Sequence, residues 1–475
     1  MNSVFVKERY AYSKEELHNI FPNNTENCIR RLKEYGILKA IKSNEDKDLS
    51  DLEDLEMIVD ESDTDCYHVF TFVGVIIIDG YVLKCYPKYI FRNDSPLEEL
   101  KQVIQVLERM NSKERIIEMY INNQQDKRFN RLAAIIYFIN DYYENGIYFN
   151  TKDIIETNGN GEINWNKTVN ETFAIISDNR PYYTELQTLK HKNDEYDYFK
   201  RLHECILTVS SKELIESSLS DLFGYEEIEI TEETISDFGD KEYILYRLEK
   251  EMSVQFNTRK LQLLDAMHSF IADEGILTDD SALSLYGTNS FHTIWESVIK
   301  KVFDDKLNTP LRSLNLPQPL STEYYPDDTL KSIIEKPQWI DSIGKSHIPK
   351  NKKTLEPDII SIKDDLFVIM DAKYYNLVLD PINGVSGNPG VGDVTKQYLY
   401  QLAYRDFIQK HGFSKIKNCF LMPTEGEEIV SLGTAKMEML EKLCLENIQI
   451  RLLPARQMYS LYLASQTTDV CKLEL

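Results

Sequence analysis

The apolar positions of this chain follow two periods, near 2 and near 3.6, and the switch from one to the other marks out its elements. Near the start, Ser13-Lys14-Glu15-Glu16 reads as a capping box ahead of Leu17, Ile20 and Phe21, and Thr25 opens a second helix carrying Ile29, Leu32 and Tyr35. Gly36 ends that helix and Ile37 to Ile41 reads as a strand, an order compatible with a small winged-helix module. Such a module either reads DNA, here with Arg30, Arg31 and Lys33, or serves as a docking platform. Tyr67 to Val75 and Val75 to Tyr89 follow as apolar strands, with Asp79-Gly80 as a hairpin turn. From Pro96 the period becomes helical: Leu97, Leu100, Val103, Ile104 and Leu107 share one face, and Leu132 to Tyr143 continues the pattern. Asn158-Gly159-Asn160-Gly161 is a turn cluster, and further helices are expected from about Tyr196 to Leu219 and from about Tyr246 to Asp273. Trp165 and the Tyr182-Tyr183 pair are stacking platforms for bases in one reading and buried aromatics in the commoner one.

A third region is expected to begin near Gly275. Ser290 can cap a helix whose Phe291, Ile294, Trp295, Val298, Ile299 and Val302 form a wide apolar stripe, with Glu296 at its edge. Leu355 to Tyr374 is two apolar, β-branched runs broken by Lys363-Asp364-Asp365, which predicts a strand, a tight turn and a second strand. A turn centred between Asp364 and Asp365 sets Asp358 opposite Asp371, roughly 5 Å apart at Cβ. Lys373 then projects beside Asp371, while Met370 and Ala372 point to the other side. After a glycine-rich loop, Asp393 starts a helix on which Gln397, Gln401 and Tyr404 make a polar strip while Leu399, Leu402 and Ala403 pack. A strand at Asn418 to Pro423, a helix around Met437 to Leu445 and a strand at Ile448 to Leu453 complete an α/β layer arrangement. The expected fold class is multidomain α+β. Residues 1–94 form an N-terminal winged-helix-like and β-hairpin domain, 95–275 a mixed, largely helical middle domain suited to partner docking, and 276–475 a C-terminal α/β domain.

Length and composition fit this plan: 475 residues allow two to four domains, and 42% hydrophobic with 11% aromatic residues argues against disorder. Seven scattered cysteines with no CxxC pair favour reduced thiols in a cytoplasm, and no apolar run reaches signal or membrane-span length. Charge changes the picture more. A net −24 opposes phosphate binding by the surface at large, so any nucleic-acid site must segregate its cations. Part of the acidity does lie in one stretch, Glu45 to Asp65, expected to be a solvated loop, and a partner is expected to supply much of any DNA grip.

The chemistry concentrates at the predicted hairpin. Two facing carboxylates repel, and desolvation disfavours each ion, so a divalent cation would relieve both penalties. Asp358, Asp371, the Ala372 carbonyl and waters make a hard oxygen site suited to Mg²⁺, with Mn²⁺ as the alternative. Lys373 could then orient or deprotonate a water, or neutralise charge on a phosphate, which is the equipment of metal-assisted phosphodiester hydrolysis. The bland alternative is a solvated surface hairpin, which would leave Phe367 and Ile369 exposed beside the charges. Just upstream, the basic loop Lys345 to Lys353 offers Lys345, Lys350, Lys352 and Lys353 as phosphate contacts.

Pro357-Asp358 followed by Asp371-Ala372-Lys373 resembles the PD-(D/E)XK motif of restriction endonucleases and related nucleases. With Phe70 to Val75, Tyr86 to Tyr89 and Gly161 to Thr168 in that order, the chain is similar to McrC-type subunits, and most of all to the LlaJI-type restriction endonuclease subunit. The resemblance implies a PD-(D/E)XK nuclease fold for residues 276–475, double-stranded DNA as substrate, and a McrB-like AAA+ GTPase partner. It also implies catalytic roles for Asp358, Asp371 and Lys373, a helix-borne Glu in the metal site, for which Glu296 is the matching candidate, and a glutamine-bearing helix against the site, which brings Gln397 and Gln401 forward as DNA contacts. The family's Gln-x-x-x-Tyr spacing is not met from Gln397. No nucleotide site is expected on this chain, because Gly344-Lys345-Ser346 lacks the leading Gly of a P-loop, with Trp339 in its place. HExxH, zinc-spaced Cys/His and GxSxG patterns are also absent. Two other classes remain open at this level: a non-catalytic DNA-binding or assembly subunit, and a stand-alone DNA repair nuclease.

Overall fold

A computed structural model describes residues 2–41, 67–91, 96–110, 129–273, 275–277, 283–347, 354–382 and 384–475. The chain divides into two compact units, one of residues 113–284 and one of residues 2–112 together with 285–475. The expected three-part division differs from this at its first boundary, since residues 95–112, expected in the middle region, lie in the same unit as 2–94. Its last boundary nearly coincides with 284, whereas the N-terminal segment shares a unit with the C-terminal α/β region.

The N-terminal segment opens with β1 (Asn2–Lys7), β2 (Ala11–Tyr12), α1 (Lys14–Ile20), α2 (Thr25–Glu34), β3 (Leu38–Ile41) and β4 (Tyr67–Phe70). The capping box is present: Ser13 accepts from the Glu16 N–H, and Glu16 accepts from the Ser13 N–H. Strands β5 (Val73–Ile78) and β6 (Tyr81–Tyr86) pair across Asp79-Gly80, whose φ of +47° and +78° are the left-handed values a two-residue hairpin turn demands. The apolar run from Tyr67 is thus two strands in two sheets, β4 within β2-β4-β3 and β5 beside β6 and β1, not one. In the second sheet β12 (Leu283–Thr288) brings Gly287 against Gly74, where a Cβ on Gly74 would lie 2.7 Å from the Gly287 Cα. Helix α3 (Leu97–Met110) buries Leu100, Val103, Ile104, Val106 and Leu107.

The unit of residues 113–284 comprises α4 (Arg131–Asn145), β7 (Thr151–Thr157), β8 (Glu162–Ile163), α5 (Trp165–Glu171), β9 (Ala174–Ser177), β10 (Arg180–Tyr183), β11 (Gln187–Asn193), α6 (Tyr198–Glu216), α7 (Ser220–Phe223), α8 (Lys241–Val254) and α9 (Thr258–Ala272). The single helix expected from Tyr246 to Asp273 is broken, because Asn257 caps a new helix by accepting from the Lys260 N–H. Inside the unit a buried Arg131 pairs with Glu213 at 2.6 Å and lies 4.0 Å from the Phe270 ring. Trp165 and Tyr182 are 57% and 53% exposed, so the commoner reading of them as buried aromatics does not hold.

The C-terminal part of the other unit contributes α10 (Phe291–Val302), β13 (Trp339–Ile340), β14 (Ser346–His347), β15 (Ile359–Lys363), β16 (Leu366–Ala372), β17 (Val378–Asp380), β18 (Gly384–Ser386), α11 (Val391–Lys410), β19 (Lys415–Thr424), β20 (Val430–Ala435), α12 (Glu438–Glu441), β21 (Ile448–Pro454) and α13 (Ala455–Leu463). A five-stranded sheet runs β15-β16-β19-β21-β20; β16, β19 and β21 are parallel and the two edge strands antiparallel. Phe367, Ile369 and Ile360 pack with Tyr400, Tyr404 and Phe407 of α11. Three sequence expectations shift here. Ser290 makes no side-chain cap bond, the helix around Met437 shrinks to one turn, and the loop before it contains the unforeseen edge strand β20.

Candidate active site

Strand β16 carries the site, and its register is the expected one. Ile359 pairs with Met370 and Lys363 with Leu366 across a two-residue turn, so Asp358 stands opposite Asp371 at the open end of the pair. The turn is made by Asp364 at φ +50°, a conformation Asp tolerates. Buried Phe367 and Ile369 remove the solvated-hairpin alternative, since Asp371 and Lys373 follow them on the face that α11 covers.

Local anchors fix both aspartates. Asp305, just beyond α10, accepts from the Ile360 N–H at 2.9 Å, and Ser361 donates to the Phe303 carbonyl at 2.8 Å. Tyr400 of α11 donates to the Glu356 carbonyl at 3.0 Å, holding the chain immediately before Pro357-Asp358. The Ala372 N–H donates to Asp358 Oδ2 at 3.0 Å, which ties the end of β15 to the end of β16. On β19 the Leu421 carbonyl accepts twice, from the Lys373 N–H at 2.9 Å and from the Trp295 indole at 3.1 Å. One carbonyl thus joins α10 to the backbone of the candidate catalytic lysine.

The charges are tightly coupled. Lys373 Nζ lies 2.9 Å from Asp371 Oδ2 and 3.0 Å from Asp393 Oδ1. Burial works against its ammonium, but Asp371 and Asp393 outweigh burial and hold its pKa above the usual lysine range. Asp358 shows the opposite strain: burial, the adjoining Asp371 carboxyl and Glu296 push it up to about 9, against the pull of Lys300. Burial also raises Tyr400, with Asp371 and Asp358 adding to it. Perturbed groups clustered in this way are a mark of functional sites.

Glu296 sits on α10, near enough to act on Asp358, and forms an ion pair with Lys300 one turn along. Among the described residues no set of three or more His, Cys, Asp and Glu side chains is close enough together to hold a metal ion, so Glu296 does not join the two aspartates in this arrangement. Lys345 is exposed beside β14, and Lys350, Lys352 and Lys353 lie outside the described residues, as does Glu45 to Asp65. Gln397 and Gln401 are placed differently from the expected polar strip. They are buried, at 0% and 4% exposure, and bond to backbone: Gln397 to the Ile369 carbonyl, Gln401 to the Glu446 carbonyl and N–H. Leu399, expected to pack, is exposed. Glutamines spent on strand and loop backbone do not reach DNA in this arrangement.

Sequence reasoning missed Asp393 as a partner of Lys373, having read it as a helix start, which the helix dipole explains equally well. Lys300 was visible as an i,i+4 partner of Glu296. Nothing in the sequence marks Glu8, which is 3% exposed and whose Oε2 accepts from the Tyr374 hydroxyl at 2.5 Å. Lys88 completes that buried contact, its N–H reaching the Tyr374 oxygen at 3.1 Å and its Nζ lying 4.7 Å from the Tyr374 ring.

A mixed helix and strand chain with paired carboxylates and a lysine gathered at one strand end has the equipment of a hydrolase, and a family comparison narrows the class to restriction enzymes. The model of the LlaJI restriction endonuclease family matches residues 72–455, and the chain belongs to that family. It is 28% identical, over 483 aligned positions, to the type II restriction enzyme BsuMI component YdjA of Bacillus subtilis (strain 168), covering 98% of this chain and 90% of that protein. Among solved structures it is similar to the refined half-complex from a tetradecameric assembly of Thermococcus gammatolerans McrB AAA+ hexamers with bound McrC, at 12% identity over 98% of this chain and 99% of that one, with a TM-score of 0.33. The cryo-EM structure of the McrBC complex from the same organism gives 12% identity, 57% and 80% coverage and a TM-score of 0.19. Superpositions at these scores do not define a shared fold. Among the described residues, no helix is long and apolar enough to cross a membrane.

Proposed function

We propose that the chain is the nuclease subunit of a McrBC-like restriction system of the LlaJI type, cutting double-stranded DNA by Mg²⁺-dependent phosphodiester hydrolysis at a PD-(D/E)XK site in the cytoplasm. The observation that carries this reading is the meeting of Asp358, Asp371 and Lys373 at the end of β16, in the register the motif requires. The donor set fits a hard cation. Two adjoining carboxyls, one of them held above the usual carboxylate range by burial and by its neighbour, form a site short of positive charge. Asp358 and Asp371, with the Ala372 carbonyl, would hold the ion, and Glu296 would join them on release from Lys300. When bound, Mg²⁺ supplies Lewis-acid polarisation of the scissile phosphate, and Mn²⁺ can take its place.

Lys373 is the group this chain brings to the transition state. Held cationic by its two carboxylates, it acts as a donor to the attacking water or to a phosphate oxygen and offsets the charge that builds there. Asp393 is a positioning residue that keeps Nζ aimed along β16. Lys345, Lys350, Lys352 and Lys353 are the proposed phosphate contacts upstream. Nucleotide-driven movement along DNA falls to a McrB-like AAA+ GTPase. The McrC-type resemblance of the sequence, and the naming of the Bacillus relative as one component of its enzyme, support a divided system.

The test is plasmid cleavage with Mg²⁺ by the purified chain, with and without a McrB-like AAA+ motor plus GTP or ATP, using Asp371→Ala as control. Cleavage that needs the motor and disappears in the variant supports the reading. Cleavage by the chain alone favours a stand-alone nuclease, and motor binding without any cutting favours a structural subunit.

A further inference from the structure

Helix α2 (Thr25–Glu34) carries Arg30, Arg31 and Lys33 close together, and it sits on a particular scaffold. The order β2, α1, α2, β3, β4, with β4 central in the sheet β2-β4-β3, is that of a helix pair braced by a small sheet, the plan by which winged-helix modules present their second helix. Here the inner side of α2 is fixed. Cys28 and Leu32 are buried, Asn24 and Asn27 each donate to Asp79 Oδ2 at 2.8 Å, and Arg31 pairs with the same carboxylate. Its outer side, with Lys14 and His18 of α1, lines a cleft of about 1060 Å³ that also takes in Asn23, Arg30 and Lys33.

The lining selects the ligand. Pro22 and Ile29 are its apolar members, too few for the core of a protein interface, while the ammonium, guanidinium, amide and imidazole groups are donors for phosphate oxygens. Glu26 and Glu34 also line it. Arg30 meets Glu34 at 3.5 Å, but with side chains 67% and 56% exposed that pair is weak and yields readily to a phosphate. We infer that this cleft holds the backbone of duplex DNA through Lys14, Arg30 and Lys33, giving the chain a DNA grip of its own beyond the candidate active site. The inference rests on the nuclease reading for its ligand and supplies the surface that holds it.

The test is fluorescence anisotropy of the full chain with a labelled duplex about three helical turns long, in EDTA so that no cutting occurs. The double variant Arg30→Glu/Lys33→Glu should lose affinity at least tenfold, and the slope of log K against log salt should fall by about 2, one for each lost phosphate contact. Lys14→Glu, a milder change on the other helix, should lose a smaller factor, and Lys415→Glu, exposed on β19, should lose none. Circular dichroism and melting temperature identify any variant that fails to fold, in which case Lys14→Glu carries the test. Wild type that does not bind the duplex, or cleft variants that bind as wild type does, would overturn the inference. Asp371→Ala keeps the two readings apart: it should bind like wild type and not cut. If it binds normally and still cuts, the active-site assignment fails while the cleft stands.

Discussion

Replacing Asp358 with Asn tests the electrostatic conflict at the candidate site most directly. The amide keeps the side chain's shape and an oxygen for the Ala372 N–H, which lies at 3.0 Å, but removes the ionisable group. In the folded chain burial and Asp371 push the Asp358 carboxyl up to about 9, whereas an unfolded Asp titrates near 3.9. The folded state binds this proton more tightly, so the group's contribution to stability is fully present below about pH 4 and is lost as pH rises toward 9. At pH 8 the loss has an upper bound of about 5 kcal/mol, from about 1.36 kcal/mol per unit over about four units. Solvent contact and charge sharing with Asp371 and Lys373 reduce it to about 2–3 kcal/mol. Asp358→Asn should therefore melt about 5–10 °C above wild type at pH 8 in EDTA, and close to wild type at pH 4.5. Mg²⁺ should raise the melting temperature of wild type far more than that of the variant, which should not cut DNA. A difference that does not depend on pH, or a variant less stable than wild type at pH 8, would refute the argument that the two carboxyls are in conflict.

Other outcomes follow from the same geometry. Asp393→Ala should lower kcat for cleavage by about 10- to 100-fold with little change in KM, the signature of a mis-aimed Lys373; an unchanged kcat would remove Asp393 from its positioning role. Trp295→Phe removes the indole bond to the Leu421 carbonyl but leaves that carbonyl its bond from Lys373, so the cost read from urea unfolding should be about 1 kcal/mol plus the smaller ring's loss of contact. Arg131→Met strands Glu213 inside the other unit and should cost about 3–5 kcal/mol, while Arg131→Met/Glu213→Leu should recover most of that loss; a double variant as unstable as the single one would contradict a buried pair.

Local structure was legible wherever a short stretch determines it. The Ser13 capping box, the Asp79-Gly80 turn and the hairpin register that sets Asp358 against Asp371 each depend on spacing within a few residues. Helix faces were less legible. On α11 glutamines and leucines interleave, and the sequence does not reveal that strand backbone at Ile369 and loop backbone at Glu446 supply the partners that let Gln397 and Gln401 be buried. Asn257 was overlooked as a cap because apolar positions continue on both sides of it. Least legible were contacts between residues far apart in sequence, such as Glu8 with Tyr374, for which a single chain carries no local signal.

The Glu8–Tyr374 contact also bears on how the protein is made. Its two ends are 366 residues apart, so at about 5–20 residues per second the ribosome releases Glu8 roughly 20–70 s before Tyr374 exists. By the end of that interval the unit of residues 113–284 already has all its own sequence. Asp371 and Lys373, at the end of β16, meet their N-terminal brace only after residue 374 has been made. A newborn chain thus carries no finished candidate site, and a fragment begun at residue 276 would leave the Tyr374 hydroxyl and ring without the groups that enclose them.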